Sequence, residues 1–291
     1  MLSGMSGALE ISGAADGLLD DDLVLRVRGA GPDADLIWRA RFRDDDGRVW
    51  RSAAPRAEQL TTRWVPAKDS AGPLAALRSL RPISIDVRAQ TEDGRDAGRT
   101  LTRRLTADGV RTRRWRDGLA ATLHLPAAAP RPATVAIGAE GDGAGAAALR
   151  PATVAIGAEG ETAARAAPCA TLLIDATAGG NAEIVATLAA PLLASRGALV
   201  LVVGPARGRA ASADPLATAC ERLAKLPGAA GEILVLAALD PFDPDSPSDG
   251  IVLPPGAGAR DPQHAAAARV VAWDALLQRL NARARERAVA R

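Results

Sequence analysis

The sequence predicts a mixed fold, an all-β half followed by an α/β half, and three observations carry that reading. Leu36, Trp38, Ala40 and Phe42 alternate with Ile37, Arg39, Arg41 and Arg43, and Ile83, Ile85, Val87 and Ala89 alternate with Ser84, Asp86, Arg88 and Gln90. A period of two with one apolar and one polar set is the signature of strands that have one packed and one wet face. Asp-Gly pairs at 46–47, 93–94, 108–109 and 117–118 punctuate these strands, and such pairs supply the positive φ angles that tight connections need. Past Leu125 the texture changes, and apolar runs of strand length alternate with helical segments.

In chain order, the alternating pattern runs from about Leu9 to Leu125 and predicts an antiparallel sandwich of about seven short strands. In the second half, Thr171–Asp175 reads as a buried strand, then a glycine-bearing loop at Ala178-Gly179-Gly180, a helix from near Asn181, and a second buried strand from Ala198 to Val203. Two parallel strands joined by a helix open their loop at the carboxyl end of the first strand, where open α/β sheets place ligands. Further helices are predicted over 214–226 and 264–287. Ile184, Leu188 and Leu192 form an expected core stripe on the first helix, with Pro191 a kink or boundary. Val270, Trp273, Leu276, Leu277 and Leu280 form the stripe on the last, whose arginines at 283, 285 and 287 suit a helix C-terminus.

At 291 residues the chain has room for two domains, and a net charge of +2 offers no electrostatic case for nucleic acid or a membrane surface. The basic residues are nearly all arginine, with lysine only at 68 and 225. Together with the absence of tyrosine, this points to GC-rich coding bias. Two cysteines, Cys169 and Cys220, are too few for a disulfide framework and fit a reducing cytoplasm. Neither a charged leader with an apolar core nor an apolar run of membrane-spanning length is read. The eleven letters of Arg131–Gly141 recur unchanged at Arg150–Gly160, a local duplication whose second strand-like segment is expected to be surplus to the sheet.

Four stretches in order resemble the acyl-CoA thioesterase and bile acid-CoA:amino acid N-acyltransferase family. They are Arg41–Ser52, Val110–Trp115 with Asp117–Pro126, Ile174–Gly180, and Leu192–Gly197 ahead of an apolar strand. The resemblance implies an immunoglobulin-like β-sandwich over 9–118 and a shortened α/β-hydrolase domain over 119–291, interrupted by the duplicated segment at 131–160. It also implies an acyl-CoA or acyl-chain small molecule as partner, no cofactor, and hydrolysis or amine transfer of the thioester. That chemistry needs a serine or cysteine on a sharp strand-to-helix turn, a histidine base, an acid to orient it, and N–H donors for the oxyanion.

Matched residue by residue, only the last of these is in place. Thr177, Ala178, Gly179 and Gly180 correspond to the oxyanion loop, where N–H groups at a helix start face a developing negative charge. The nucleophile is missing on either of two alignments. If Ile233–Leu236 is the nucleophile strand, Ala237-Ala238-Leu239-Asp240-Pro241 follows it, without Gly-x-Ser-x-Gly or its cysteine equivalent. If it is the late strand that carries the acid, Asp240 and Asp243 are relics of that acid, and the elbow with its neighbouring strands is deleted. Ile251–Gly258 then leads to Ala259 where the family has its histidine, and His264 lies five residues on. The second alignment fits better, because the Pro-Gly-Ala-Gly run and the Trp273 helix follow in order.

The catalytic candidates are therefore Asp240, Asp243 and His264, all weak, and the expectation is an impaired thioesterase; the alternative is a non-catalytic protein that binds an acyl ligand or a partner. His124 on a strand reads as structural or exposed, and Cys220 within a helix as structural. No metal site is expected from two histidines and two distant cysteines. The arginines at 99, 103, 104, 111, 113, 114 and 116 read as solvated strand faces rather than a phosphate site.

Overall fold

The computed structural model describes residues 8–31, 34–62, 64–67, 75, 77, 79–115, 119–126, 153–154, 165–166, 170–205, 214–226, 233–238, 250–251, 273, 275–278, 280 and 282. These residues are mostly β-sheet and fall into two compact units that part between Leu105 and Thr106. The division precedes the expected 118/119 boundary because the strand at Arg111–Trp115 pairs with the one at Ala121–Leu125.

The N-terminal unit holds β1 (Glu10–Gly13), β2 (Asp16–Leu18), β3 (Leu25–Arg28), β4 (Leu36–Arg43), β5 (Val49–Ala54), a 3-10 helix at Ala57–Thr62, β6 (Val65–Pro66), β7 (Ile83–Thr91) and β8 (Asp96–Arg104). Six strands form one sheet in the order β2-β8-β7-β4-β5-β6, and β1 pairs antiparallel with β3 in a separate ribbon. The unit is β-rich as expected, divided as six strands and two. The alternation holds along β4 and β7: Trp38, Ala40, Phe42, Ile85, Val87 and Ala89 are buried, while Arg39, Arg41, Arg43 and Arg88 are exposed. On the inner face, the Phe42 ring stacks on Trp50 with centroids 6.3 Å apart and meets Trp64 edge-on at 4.7 Å. Such aromatic contacts hold the sheet beyond the area they bury.

The β4–β5 turn is built around Asp44. Its Oδ1 accepts from the backbone N–H of Asp46 at 3.1 Å and of Arg48 at 2.8 Å, and its Oδ2 accepts from Trp50 Nε1 at 3.0 Å. Gly47 (φ 77°) closes this turn, and Gly94 (φ 84°) closes the one between β7 and β8.

The C-terminal unit contains β9 (Arg111–Trp115), β10 (Ala121–Leu125), β11 (Thr153–Val154), β12 (Arg165–Ala166), β13 (Thr171–Asp175), α1 (Asn181–Ser195), β14 (Leu199–Val203), α2 (Pro215–Ala224), β15 (Ile233–Ala238) and β16 (Gly250–Ile251), with helical residues again between 273 and 282. Its six-stranded sheet has the order β16-β15-β13-β14-β10-β9. β13, β14, β15 and β16 are parallel, and the β9–β10 hairpin adds antiparallel at β14. β11, from the second copy of the repeat, pairs with β12 outside this sheet, as the duplication predicts.

β13 feeds α1 and β14 feeds α2, and the two helices cover opposite faces. Leu123, Leu173 and Leu201 pack with Ala219 and Leu223 of α2. Leu172, Ile174, Val200 and Val202 point the other way, to the face where α1 lies. α1 is buried nearly all round, which is why its sequence has no narrow stripe, and Ile184, expected in the core, is instead exposed. The helix runs through Pro191 without ending and stops at Arg196-Gly197, where Gly197 (φ 96°) takes the left-handed position common after a last turn. At α2, Asp214 accepts from the Ala217 N–H at 2.9 Å and Pro215 occupies the first helical position. Trp273, Leu276, Leu277 and Leu280 are buried, as their spacing predicts.

Candidate functional site

The carboxyl ends of β13, β14 and β15 lie along one sheet edge, because Val203, Asp175 and Ala237 share one register row. The chain leaves β13 through α1 toward β14 on one side, whereas β15 leads to β16 on the other. The edge between β13 and β15 is thus a topological switch point, where connections diverge and leave a crevice.

The turn Ala176–Gly180 fills the β13 side of this edge. The Asp175 carboxylate folds back, its Oδ1 accepting from the Thr177 N–H at 2.9 Å and from Thr177 Oγ1 at 2.6 Å. The Gly179 N–H donates to the Ala176 carbonyl at 3.0 Å, and the Ala176 N–H donates to Val203 O at 2.8 Å, which carries the sheet one residue past β13. Gly179 (φ 69°) and Gly180 (φ 59°) have backbone angles that side-chain-bearing residues adopt only at a cost. A side chain at Gly180 would meet nothing within 4 Å, so glycine is required there by conformation and not by space. Gly180 precedes α1 and, as a glycine, offers no side chain to cap it.

Of the four expected oxyanion-loop residues, Thr177 and Gly179 therefore hold their N–H groups inside the turn. Ala178 and Gly180 are exposed, and their N–H groups meet no acceptor among the described residues. N–H groups of two exposed residues with no acceptor among the described residues can bind an anion or a carbonyl oxygen; alone they activate no water.

No protein-family model matches the chain, and no curated protein matches it. The reading of the site accordingly stands on the geometry of this molecule. Asp240, Asp243 and His264 lie outside the described residues. His124 does not reach the edge. It lies in a row with Val200, Leu172 and Leu234, three residues back along the strands from Asp175. It is buried, contacts Thr112 Oγ1 through Nδ1 at 3.3 Å, and burial lowers its pKa to about 4. A neutral imidazole inside a sheet is a structural residue, as expected. Cys220 packs against the α2-side core, away from the turn. Among the described residues, no group of three His, Cys, Asp or Glu side chains is arranged to hold a metal.

Arg103 departs from expectation. It is only 2 % exposed rather than solvated, with Asp21, Asp16 and Asp20 around it. Burial lowers its pKa, and those carboxylates oppose the shift. Its guanidinium crosses the β2 backbone where Gly17 leaves room: a Cβ there would lie 2.0 Å from Nη1. The adjacent Asp-rich segment 20–22 was the available signal for a buried cation in this otherwise alternating strand.

Proposed function

We propose that the chain descends from acyl-CoA thioesterases and acyltransferases of the α/β-hydrolase class, with an immunoglobulin-like N-terminal domain, and that it turns over thioesters very slowly if at all. One observation carries this reading. β13 is the third strand of the C-terminal sheet in chain order, and its loop into α1 places the exposed Ala178 and Gly180, whose N–H groups meet no acceptor among the described residues, at a switch point. In α/β-hydrolases the loop after the third strand contributes an oxyanion donor. The mixed sheet and the β4–β5 hairpin over Arg41–Ser52 agree with the resemblance in the sequence.

On this reading the loop polarises a bound thioester carbonyl, and the step that fails is attack. With no serine or cysteine elbow in the sequence after Ile233–Ala238, no acyl-enzyme forms, and water has no base beside it. A hydrolase stripped of its triad retains only about 10³–10⁴-fold over water. Purified protein is incubated with palmitoyl-CoA and a thiol-reactive chromophore. The expected result is CoA release at no more than that residual rate; turnover of about 1 s⁻¹ or faster, in the range of ordinary enzymes, refutes the impairment.

The uncapped start of α1 favours a second use of the same edge, as a site that holds an acyl ligand without cleaving it. Thermal stabilisation by palmitoyl-CoA without CoA release supports that use, and release with turnover excludes it.

A further inference from the structure

The outward face of the N-terminal six-stranded sheet concentrates positive charge. Because Trp38, Ala40 and Phe42 point into the core, β4 turns Arg39 and Arg41 outward. The register sets Arg51 of β5 and Asp86 of β7 on either side of Arg41, and Ala53 and Arg88 on either side of Arg39. Neighbours in such rows have Cα atoms about 4.5–5.5 Å apart, and successive residues on one face of a strand are about 7 Å apart. Four guanidinium groups therefore rise from a patch two rows deep.

Among the described residues little of this charge is neutralised. Asp86 is the one carboxylate among those described that line the hollow above the patch; it accepts from Arg41 Nε at 3.1 Å and from Thr100 Oγ1 at 3.0 Å, and it also feels the charge of Arg88. Arg39 donates to the neutral Gln90 Oε1 at 2.7 Å. Arg51 and Arg88 are exposed and have no hydrogen-bond acceptor among the described residues. Arg39 stands directly opposite Arg88, and Arg41 opposite Arg51, pairings that destabilise a sheet unless an anion sits between them. Over them lies a hollow of about 570 Å³, floored by Ala40 and Ser52 and flanked by Val65.

The size and lining select the anion. A hollow of this volume suits a small molecule. A protein partner would need a contact of about 800 Å² per side, and single-stranded nucleic acid would need aromatic platforms, which the described lining residues do not include. Planar guanidinium forks match phosphate oxygens two at a time, and four of them around one hollow match a chain of two or three phosphates better than a lone carboxylate. We propose that the face formed by Arg39, Arg41, Arg51 and Arg88 is a binding site for a pyrophosphate or triphosphate group. The site lies within the N-terminal unit and does not rest on the reading of the C-terminal edge.

The test is isothermal titration of the full chain with inorganic tripolyphosphate, pyrophosphate and ADP at constant ionic strength, for the wild type, Arg51→Gln, Arg88→Gln and the control Arg28→Gln. Arg28 is an exposed arginine of β3 outside the hollow. The expected result is saturable one-to-one binding of tripolyphosphate, weakened about tenfold or more by Arg51→Gln and by Arg88→Gln and unchanged by Arg28→Gln. ADP binding tighter than pyrophosphate assigns the site to an organic diphosphate, and equal binding assigns it to the phosphate chain alone. Absence of saturable binding by all three probes, or equal weakening by Arg28→Gln, overturns the proposal. So does tighter binding of polyglutamate or a single-stranded oligonucleotide that is lost in Arg51→Gln and Arg88→Gln.

Discussion

Replacing Asp44 by asparagine exchanges one carboxylate oxygen for an NH₂ group and isolates one buried hydrogen bond. In the wild type both carboxylate oxygens are engaged: Oδ1 holds the Asp46 and Arg48 backbone N–H groups, and Oδ2 holds the Trp50 indole at 3.0 Å. In Asp44→Asn the new side chain can keep its carbonyl oxygen on the two backbone donors only by turning its NH₂ toward the indole N–H. The flipped amide meets the indole but opposes the two backbone donors. The first arrangement costs less, and it leaves the N–H of a fully buried Trp50 facing another donor. Loss of a hydrogen bond to a charged acceptor costs about 1.5–3 kcal/mol, and an unsatisfied buried donor costs about 1–3 kcal/mol. These ranges overlap in what they count, so the expected destabilisation is about 2–3 kcal/mol. Asp44→Ala abandons all three donors and should cost about 3–4 kcal/mol, since water reaches the two at the turn.

Urea denaturation of the full chain, followed by far-UV circular dichroism, reads these differences as midpoint shifts. In a unit of roughly 100 residues, 2 kcal/mol also lowers Tm by about 8–16 °C. The specific partner is tested by a cycle with Trp50→Phe, which keeps a ring against Phe42 and removes the indole donor. In that background Asp44→Asn should cost about 1.5–2 kcal/mol less than in the wild type. A cost within about 0.5 kcal/mol of zero, or an equal cost in both backgrounds, would refute the assignment of Asp44 as the acceptor that ties the turn to the aromatic core.

Three further perturbations read other parts of the molecule. His124 has a folded-state pKa of about 4, below its unfolded value of 6.5, so its contribution is complete above pH 6.5 and is lost as pH falls toward 4. Its loss amounts to roughly 3 kcal/mol, and His124→Leu should flatten the fall in urea midpoint between about pH 7 and 4.5; an unchanged slope counts against this. Gly17→Ala sets a methyl 2.0 Å from the buried Arg103 Nη1 and should destabilise by about 2–3 kcal/mol. The control Gly98→Ala, with 3.9 Å of clearance, should cost less than about 1 kcal/mol, and equal midpoints for the two variants would sink the account. Ser195 Oγ accepts from the Ala107 N–H at 2.7 Å and donates to Pro191 O at 2.8 Å in a fully buried site. Ser195→Ala should cost about 1–3 kcal/mol and speed amide exchange at Ala107, and unaltered exchange argues that the bond is dispensable.

Much of the architecture was legible because two periodicities report it directly. The period of two in β4 and β7 gave both their extent and their inward residues, and the apolar runs at β13 and β14 gave buried parallel strands bounded by a helix. What was not legible depends on partners distant in sequence. The Asp-rich segment 20–22 lies far from Arg103 in sequence, and only the pairing of β2 with β8 brings Gly17 and Asp21 to it. Ile184 fits a helical stripe by spacing, yet α1 is enclosed on so many sides that its exposed position is set by tertiary neighbours. The arginine face failed for the same reason: Arg51 and Arg88 are far apart in sequence, and only the registers through Arg41 and Arg39 gather them.

On the proposed reading, the candidate site is a turn that outlasts the chemistry it served. The Ala176–Gly180 loop is held by Asp175 on Thr177, by Gly179 on Ala176 and by the positive φ angles of two glycines. None of these interactions involves a nucleophile, a base or a substrate. The turn's own stability keeps its shape whether or not a triad accompanies it, so the Ile174–Gly180 resemblance bears on the proposed ancestry more than on turnover. Attack on the carbonyl depends instead on groups that contribute nothing to this turn. Gly179→Ala makes the separation measurable: forcing a side chain into φ 69° should cost about 1 kcal/mol of stability. On the proposed reading the loop supplies the polarisation that remains, so that substitution lowers the residual rate of CoA release by about tenfold or more. A rate unchanged within about twofold would mean that the loop no longer acts on a reacting carbonyl.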